Sequence, residues 1–262
     1  MTAKTFIDQL ISAGRYTFTT DEAKAALSGT ADAIKLALNR LRRKGEINSP
    51  MRGFWVIVPP EYRRLGCLPA EQFIPSLMAY LGLAYYAGLL TAAQFHGAAH
   101  HRPQTFQVLV EKPRRPIYCG KVRVDFHVRK NLTSVPTQMF NTPRGPITAS
   151  TPEATAYDLI GYEAQIGGLN AAATVLADLA EKLDAQTLAE LAPQMPIPWV
   201  QRLGFVLETL DAPSATASLR PWVKTHVRVF ASLQPGSGDR DHDRGRSLDW
   251  KLILNTELEP DA

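Results

Sequence analysis

Several features that mark secreted, membrane-bound or metal-binding proteins are missing from this sequence. Its 262 residues include only two cysteines, Cys67 and Cys119, too few for a disulfide framework or a four-cysteine zinc site. The longest apolar run, residues 81–93, is too short to cross a bilayer and is interrupted by two glycines. The first residues contain no apolar segment typical of secretion signals. We therefore expect a cytoplasmic protein that has no membrane partner.

The motifs that bind phosphates or activate a serine nucleophile are absent as well. Neither G-x-x-x-x-G-K, G-x-G-x-x-G nor G-x-S-x-G occurs. The apolar share of 45% and the charged share of 21% are those of an ordinary globular protein with enough material for a core. These absences leave an enzyme open, but no motif in the residues calls for one, and we predict a protein that is not an enzyme and needs no cofactor.

One histidine cluster has part of the pattern of a metal site. His96 and His100 stand four residues apart, on one face of a predicted helix, and His101 follows. Zinc needs three or four ligands, and the H-E-x-x-H pattern fails because Gly97 follows His96. We expect these histidines to cap a helix end or to lie on the surface, without a stoichiometric metal.

Two groups of carboxylates also fall short of a metal site. Glu111 follows one predicted strand and Asp125 lies within another, but the Glu-x-Lys spacing of magnesium-dependent nucleases is absent. Residues 239–245 begin like a calcium-binding loop, although Trp250 stands where the final bidentate Glu belongs. We predict a solvated, mobile loop over residues 236–246.

Positive charge is concentrated at the front of the chain. The net charge is +4, and residues 1–66 contain eleven Lys and Arg against six Asp and Glu. A basic excess confined to one segment is typical of a nucleic-acid-binding domain.

The segment that follows Thr30 predicts an amphipathic basic helix. Thr30 is a suitable N-cap, and Gly45 after three cations is a suitable stop. The apolar residues repeat at the helical period and predict the buried face: Ile34, Ala37, Leu38 and Leu41. The opposite face carries Asp32, Lys35, Leu36, Asn39 and Arg43, and the apolar Leu36 is an objection to a face that reads DNA.

Two short strands, residues 46–49 and 54–58, follow this helix and are joined by a turn with Pro50 and Gly53. With two further predicted helices, residues 2–13 and a helix capped by Thr20, they form the pattern of a winged helix-turn-helix. The predicted DNA-binding residues are Thr30, Lys35, Asn39, Arg40, Arg42, Arg43, Lys44 and Arg52. Asn and Arg side chains pair with base edges, whereas Lys44 and Arg52 suit phosphates. The alternative is a winged helix that binds protein.

A proline pair at residues 59–60 ends the last of these strands, so we place a domain boundary near residues 59–69. The later sequence predicts helices and strands: helices in 70–99, 154–163, 169–183, 187–191 and 199–210, and strands at 105–110, 117–118, 121–128, 138–140, 147–149, 223–231 and 248–254. We therefore predict an α+β protein: a winged helix-turn-helix domain in residues 1–66, then a larger domain in residues 67–262 with an antiparallel sheet flanked by helices. A fragment that begins near Cys67 should fold by itself.

Several segments, in this order and spacing, resemble the AbiEi antitoxins of bacterial abortive-infection systems. They are LNRLRRKGEI (38–47), RGFWVIVP (52–59), YYAGLLTAAQFHG (85–97), STPEATAYDL (150–159) and DWKLILN (249–255). The first is common to winged helices, and the third and fourth are more specific. Ala154 departs from the pattern, where an Arg would be more usual.

The resemblance implies a type IV antitoxin that takes part in phage defence. Such a protein represses its own operon by binding operator DNA, expected to contain inverted repeats, and counteracts a nucleotidyltransferase toxin without a stable complex. It supplies no catalytic residues. Two alternatives stay open: a plain winged-helix regulator whose C-terminal domain senses a ligand or a protein, and a DNA-targeted nuclease.

Overall fold

The computed structural model describes residues 1–98, 104–236 and 245–259. These residues form helices and strands in an α+β arrangement, which confirms the predicted fold class. The chain divides into two compact units. Unit 1 contains Met1–Ala87, Gln104–Ser134 and Gln138–Ala149, and unit 2 contains Gly88–Pro103, Val135–Thr137 and Ser150–Ala262.

The front of unit 1 holds three helices and a three-stranded sheet. In chain order they are α1 (Ala3–Ser12), β1 (Thr17–Thr19), α2 (Thr20–Ala26), α3 (Ala31–Arg43), β2 (Ile47–Met51) and β3 (Phe54–Ile57). The sheet is antiparallel in the order β1–β3–β2. The three predicted helices and the hairpin are present, whereas β1 was not predicted.

The start of α2 differs by one residue from the prediction. Its N-cap is Thr19 and not Thr20. The Thr19 hydroxyl accepts from the Glu22 N–H at 3.1 Å, and the Glu22 carboxylate accepts from the Thr19 N–H at 2.7 Å. This reciprocal pair is a capping box, which satisfies two N–H groups that the helix itself leaves free.

The remainder of unit 1 consists of one helix and a six-stranded sheet. The elements are α4 (Ala70–Leu81), β4 (Tyr86–Ala87), β5 (Phe106–Val110), β6 (Ile117–Cys119), β7 (Val122–Val128), β8 (Thr137–Thr142) and β9 (Gly145–Ser150). The strand order is β6–β7–β5–β4–β9–β8.

The predicted antiparallel sheet is in fact mixed. β5 pairs with β7 in parallel, as β4 does with β9, whereas β6–β7 and β4–β5 are antiparallel. Alternating apolar residues show that a strand is half-buried, but they do not show the direction of its neighbour. β6 lies between β5 and β7 in the sequence, so β5 and β7 are not joined by a short hairpin turn. The longer connection allows β5 and β7 to run in the same direction.

Strand β3 is buried on both faces and is part of two cores. Its Ile57 packs with the helices α1 to α3, whereas Phe54 and Val56 pack in a second cluster with α4 and the strands β5 to β7. The compact units therefore do not follow the predicted boundary near residue 66. A fragment that begins at Cys67 would expose the apolar face that Phe54 and Val56 cover.

Unit 2 is mainly helical. Its helices are α5 (Leu89–Phe95), α6 (Pro152–Gly161), α7 (Leu169–Leu179), α8 (Ala185–Leu191), α9 (Ile197–Thr209), α10 (Pro213–Thr216) and α11 (Leu219–His226), and its strands are β10 (Ala231–Ser232), β11 (Arg246–Ser247) and β12 (Leu252–Ile253). None of the helices in the described part of the chain has the length and apolar content needed to span a membrane.

The two strands predicted near the C-terminus are largely wrong. Residues 223–231 begin inside α11, where Leu219 and Val223 are buried four residues apart on one helix face. Of residues 248–254, only Leu252–Ile253 forms a strand, which pairs in parallel with β10. Residues 237–244, within the loop predicted at 236–246, lie outside the described residues.

Candidate nucleic-acid interface

Helix α3 has well-defined ends. The Thr30 hydroxyl accepts a hydrogen bond from the Ala33 N–H at 3.3 Å, as predicted for its N-cap. At the other end Lys44 is the C-cap, and Gly45 takes a left-handed φ of +70°. The Arg63 guanidinium donates to the Lys44 carbonyl at 3.1 Å, which satisfies one of the last free acceptors of the helix.

The buried face of α3 fixes which side chains point outward. Ile34, Leu38 and Leu41 are buried in the core with α1 and α2. Lys35 and Arg43 are exposed, and Asn39 is partly exposed. The predicted polar face is therefore accessible to a partner.

The other predicted basic residues of this helix are also exposed. Arg40, Arg42 and Lys44 lie beside the Lys35–Arg43 face. Within the described part of the chain, none of these cations forms an ion pair or a side-chain hydrogen bond. A cationic face without ion-pair partners attracts a polyanion such as nucleic acid. Its cations can neutralise phosphates and release the counterions that are condensed on them.

Leu36 is the one large apolar residue on this face, and the residue is 57% exposed. It lies beside Arg43 and Asn39 at the helical spacing. An apolar group among polar ones can contact a thymine methyl group in the major groove.

The hairpin after α3 has a tighter turn than predicted. β2 continues through Pro50 to Met51, which pairs with Phe54, so the turn consists of Arg52 and Gly53 alone. The pairing register shifts between Asn48 and Met51, and Pro50, which has no N–H to donate, lies in this irregular stretch.

Arg52 lies at the hairpin tip and is exposed, without a hydrogen bond or ion pair to any residue that the structure describes. Gly53 has a φ of +87°, and a Cβ there would lie 2.7 Å from the Tyr80 hydroxyl oxygen. Glycine is therefore needed beside Arg52 for the turn and for the close approach of Tyr80.

The charges of the chain separate between the two units. Unit 1 contains 19 Lys and Arg against 9 Asp and Glu, a net charge of +10. Unit 2 contains 10 Lys and Arg against 16 Asp and Glu, a net charge of −6. The net charge of the whole chain, +4, hides this division, which concentrates the positive charge in unit 1.

Sequence reasoning missed part of this basic surplus. Residues 104–149 alone carry eight Lys and Arg against two acids, Glu111 and Asp125. Arg63, Arg64 and Lys121 are exposed basic residues outside the predicted DNA-binding set. A charge count over this second segment, made in the same way as for residues 1–66, would have found the surplus.

The histidine cluster is only partly described. His96 is buried, and its Nε2 lies 2.8 Å from the Ser150 carbonyl oxygen. Burial lowers the pKa of His96 below its usual value, so the ring is neutral at pH 7 and donates to this carbonyl. His100 and His101 lie outside the described residues, as do Asp239, Asp241 and Asp243 of the predicted loop. Among the described residues, no three potential ligands form a metal site.

The two carboxylates of the nuclease alternative do not converge. Asp125 pairs in register with Gln107, and Glu111 lies four residues further along from Gln107, beyond the end of β5. Four residues of extended chain span about 13 Å. Asp125 instead forms an ion pair with Arg123 at 2.9 Å. This arrangement gives no support to a shared magnesium site.

Residues 86–209 match the family model of the AbiEi antitoxin C-terminal domain. The chain carries an AbiEi antitoxin domain. The match confirms the resemblance to the AbiEi antitoxins and supports a role as the antitoxin of a toxin–antitoxin system. The matched residues begin at Tyr86 and do not include α3 or the β2–β3 hairpin.

Two solved structures have been compared with this chain. The RV2827C protein from Mycobacterium tuberculosis is 17% identical, with 95% of this chain and 90% of that chain covered and a TM-score of 0.66. At this identity the similarity shows a shared fold alone. An antigenic nucleotidyltransferase-like protein from Paracoccidioides brasiliensis is 12% identical over 58% of this chain and 90% of that chain, and its TM-score of 0.38 is too low to show a shared fold. No curated protein matches the chain.

Proposed function

We propose that this protein is a DNA-binding antitoxin that represses its own toxin–antitoxin operon and counteracts a nucleotidyltransferase toxin. The DNA-binding part is a winged helix-turn-helix in residues 1–66. Its order of elements, α1–β1–α2–α3–β2–β3, supports this assignment, because α3 follows α2 after a short turn and the β2–β3 hairpin forms a wing.

The observation that carries the proposal is the outward face of α3. Its cations are exposed and uncompensated, and they belong to a unit with a net charge of +10. In this proposal α3 lies in the major groove, where Lys35, Asn39 and Arg43 contact base edges. The other predicted residues contact phosphates: Thr30, Arg40, Arg42, Lys44 and, from the wing, Arg52.

The AbiEi domain and the charge of unit 1 support two partners, a DNA and a toxin. The DNA partner is the operator in the protein's own promoter, arranged as inverted repeats. The toxin partner is the cognate nucleotidyltransferase, which the antitoxin counteracts without a stable complex, as in a type IV system of phage defence. We place the antitoxin activity in residues 67–262, of which the acidic unit 2 is a poor surface for DNA. The protein works in the cytoplasm and is not itself an enzyme.

A paired experiment with the full-length protein tests this division of labour. A fragment from Cys67 is unsuitable, because it lacks Phe54 and Val56 of the shared core. The combined variant Lys35→Ala, Asn39→Ala and Arg43→Ala changes only the outward face of α3. It should lose gel-shift binding to the operon's promoter and still protect cells that express the nucleotidyltransferase encoded beside it.

Lys4→Ala is the control, since Lys4 is an exposed cation on α1 outside the predicted DNA-binding set. It should retain both activities. Promoter binding by the α3 variant at the wild-type level would contradict DNA binding through α3. Loss of protection in that folded variant would contradict the assignment of the antitoxin activity to residues 67–262.

A further inference from the structure

The two cysteines of the chain lie in one core, and the proposed function uses neither of them. Cys67 lies between β3 and α4, and Cys119 is the last residue of β6, so they are distant in sequence. Both thiols are free and buried in unit 1. Both belong to the cluster that packs around α4 and the strands β5 to β7.

The backbones beside the two cysteines are in direct contact. The Lys121 N–H donates to the Leu65 carbonyl at 2.7 Å. A Cβ on Gly120 would lie 2.8 Å from the Gly66 Cα, and a Cβ on Gly66 would lie 3.2 Å from the Gly120 Cα. Residue 65 therefore faces residue 121 and residue 66 faces residue 120, so the two segments run in opposite directions.

Two glycines keep the segments at this distance. Gly120 has a φ of +59° and Gly66 a φ of +71°, left-handed values that favour glycine. A Cβ on Gly120 would also lie 2.3 Å from the Leu65 carbonyl oxygen. A side chain at this position would push the two segments apart, and the cysteines with them.

The register of this contact, continued by one residue, places Cys67 opposite Cys119. Residues directly opposite each other on antiparallel segments have Cα atoms about 4.5–5.5 Å apart. A disulfide joins Cα atoms about 4.4–6.8 Å apart, so the backbone spacing suits one. The side chains are in contact as well, since the pKa of the Cys67 thiol is raised first by its hydrogen bond with Cys119 and then by burial.

The position of β6 gives an oxidant a route to Cys119. This strand has three residues and lies at the edge of the six-stranded sheet, next to β7. A short edge strand opens locally more often than the centre of a sheet. The raised pKa keeps the Cys67 thiol protonated at pH 7, and a protonated thiol is a poor nucleophile. Oxidation should therefore be slow, and it should proceed while β6 is open.

We propose that Cys67 and Cys119 form a redox modification site, at which a peroxide produces a reversible disulfide between β6 and the segment after β3. The peroxide transfers one oxygen atom to the Cys119 sulfur, its O–O bond breaks, and water leaves. The Cys67 sulfur then attacks the resulting sulfenic acid. The S–S bond forms, the S–O bond breaks, and the hydroxyl group leaves with the Cys67 proton as a second water.

The disulfide would stabilise unit 1 under oxidising conditions. It closes a loop of the chain over residues 67–119, which restricts the unfolded chain more than the folded one. It also ties the edge strand β6 to the segment after β3. In a reducing compartment such a bond does not persist, so the site responds to an oxidant and returns to two thiols when the oxidant is removed.

Oxidation of the folded, full-length protein tests the inference. The protein is treated with hydrogen peroxide at pH 7, its remaining thiols are then blocked with N-ethylmaleimide in urea, and it is digested without reductant for mass spectrometry. The untreated protein should take up maleimide at both cysteines. The treated protein should take up none and should give one linked pair of peptides that contains Cys67 and Cys119. The midpoint of thermal unfolding should rise by about 5–10 °C, and dithiothreitol should reverse both changes.

The variants Cys67→Ala and Cys119→Ala are matched controls, because each retains one thiol. Peroxide should give neither of them an internal link or a higher unfolding midpoint. Two free thiols in the treated wild-type protein, under conditions that link them when urea has unfolded the chain, would overturn the inference. That result would show that the thiols only fill space in the core. A linked protein less stable than the reduced one would overturn it as well.

Discussion

Arg144 lies over the ring of Tyr16, with its guanidinium carbon 3.2 Å from the ring centre. The same guanidinium donates through Nε to the Gln72 side-chain oxygen at 2.8 Å and lies 3.6 Å from a Glu61 carboxylate oxygen. Arg144 is in the turn between β8 and β9. One side chain therefore fixes this turn to α4 and to the segment before β1, two parts of unit 1 that are distant in sequence.

Replacing Arg144 should destabilise unit 1. Arg144→Ala removes a stacked cation and two charge-assisted contacts, so the free energy of unfolding should fall by about 1–3 kcal/mol. Arg144→Lys keeps the charge but loses the flat stacking surface. Its free energy of unfolding should lie between those of the wild-type protein and Arg144→Ala. Urea unfolding measures the change, with the exposed Arg115→Ala as the matched control. An unfolding midpoint for Arg144→Ala equal to that of the control would contradict this role.

The capping box of α2 should make stability depend on pH. Burial acts to raise the pKa of Glu22, but the Arg15 guanidinium and the Thr19 N–H outweigh it, so the pKa lies below the ordinary 4.5. A carboxyl group with a lowered pKa in the folded state stabilises the protein above its unfolded pKa. This contribution is lost as the pH falls through the folded value.

The variant Glu22→Gln isolates this effect. The difference in unfolding free energy between the wild-type protein and the variant should be constant near neutral pH and should shrink as the pH falls below about 4.5. Urea titrations at a series of pH values give this difference. A difference in unfolding free energy that stays constant down to strongly acidic pH would show that ionised Glu22 adds nothing to stability.

Gly204 is required for the packing of Trp250 in unit 2. A Cβ on Gly204 would lie 2.0 Å from Cζ3 of the buried Trp250 ring. Gly204→Ala should therefore cost about 1–3 kcal/mol or more, although alanine favours a helix such as α9. Thermal unfolding measures the loss, with Thr209→Ala at the exposed end of α9 as the control. A variant as stable as the wild-type protein would show that the ring moves aside freely.

Sequence reasoning succeeded where the signal was local. The N-cap Thr30, the apolar period of α3 and the Gly45 stop all act within one helix, and they were confirmed except that Ala37 of the predicted buried face is only half-buried. It failed where distant segments decide the structure. β4, only Tyr86–Ala87, is too short to show a period and exists because it pairs with both β5 and β9. The β-branched residues of 223–231 favoured a strand, but burial of Val223 on one helix face prevailed.

The candidate site follows the same rule. The outward face of α3 was predictable, because the apolar residues that one face of a helix buries determine which residues lie on the opposite, exposed face. The position of Lys121 beside Arg63 and Arg64 was not, because Lys121 reaches Leu65 through a contact between two glycines that no local pattern signals. For the same reason the core shared by Phe54, Val56 and α4 could not be foreseen from the proline pair at residues 59–60.

We expect no stoichiometric metal in the purified protein. His96 is committed to the Ser150 carbonyl, and the described residues contain no group of three potential ligands. Elemental analysis of protein prepared without a histidine tag should give far less than one zinc per chain. One zinc per chain, retained after dialysis against a chelator, would show that the prediction is wrong.

The central claim is that α3 reads the operator while the wing holds the DNA backbone. Binding of Asn39→Ala and Arg52→Ala to operator and to random duplexes of equal length, at one salt concentration, tests it most directly. Asn39→Ala should lose about 1–3 kcal/mol on the operator and little on random DNA, because it removes a base contact. Arg52→Ala should weaken binding to both duplexes by a similar factor, because it removes a phosphate contact. Equal losses on the two duplexes for Asn39→Ala, or unchanged binding for both variants, would contradict the account.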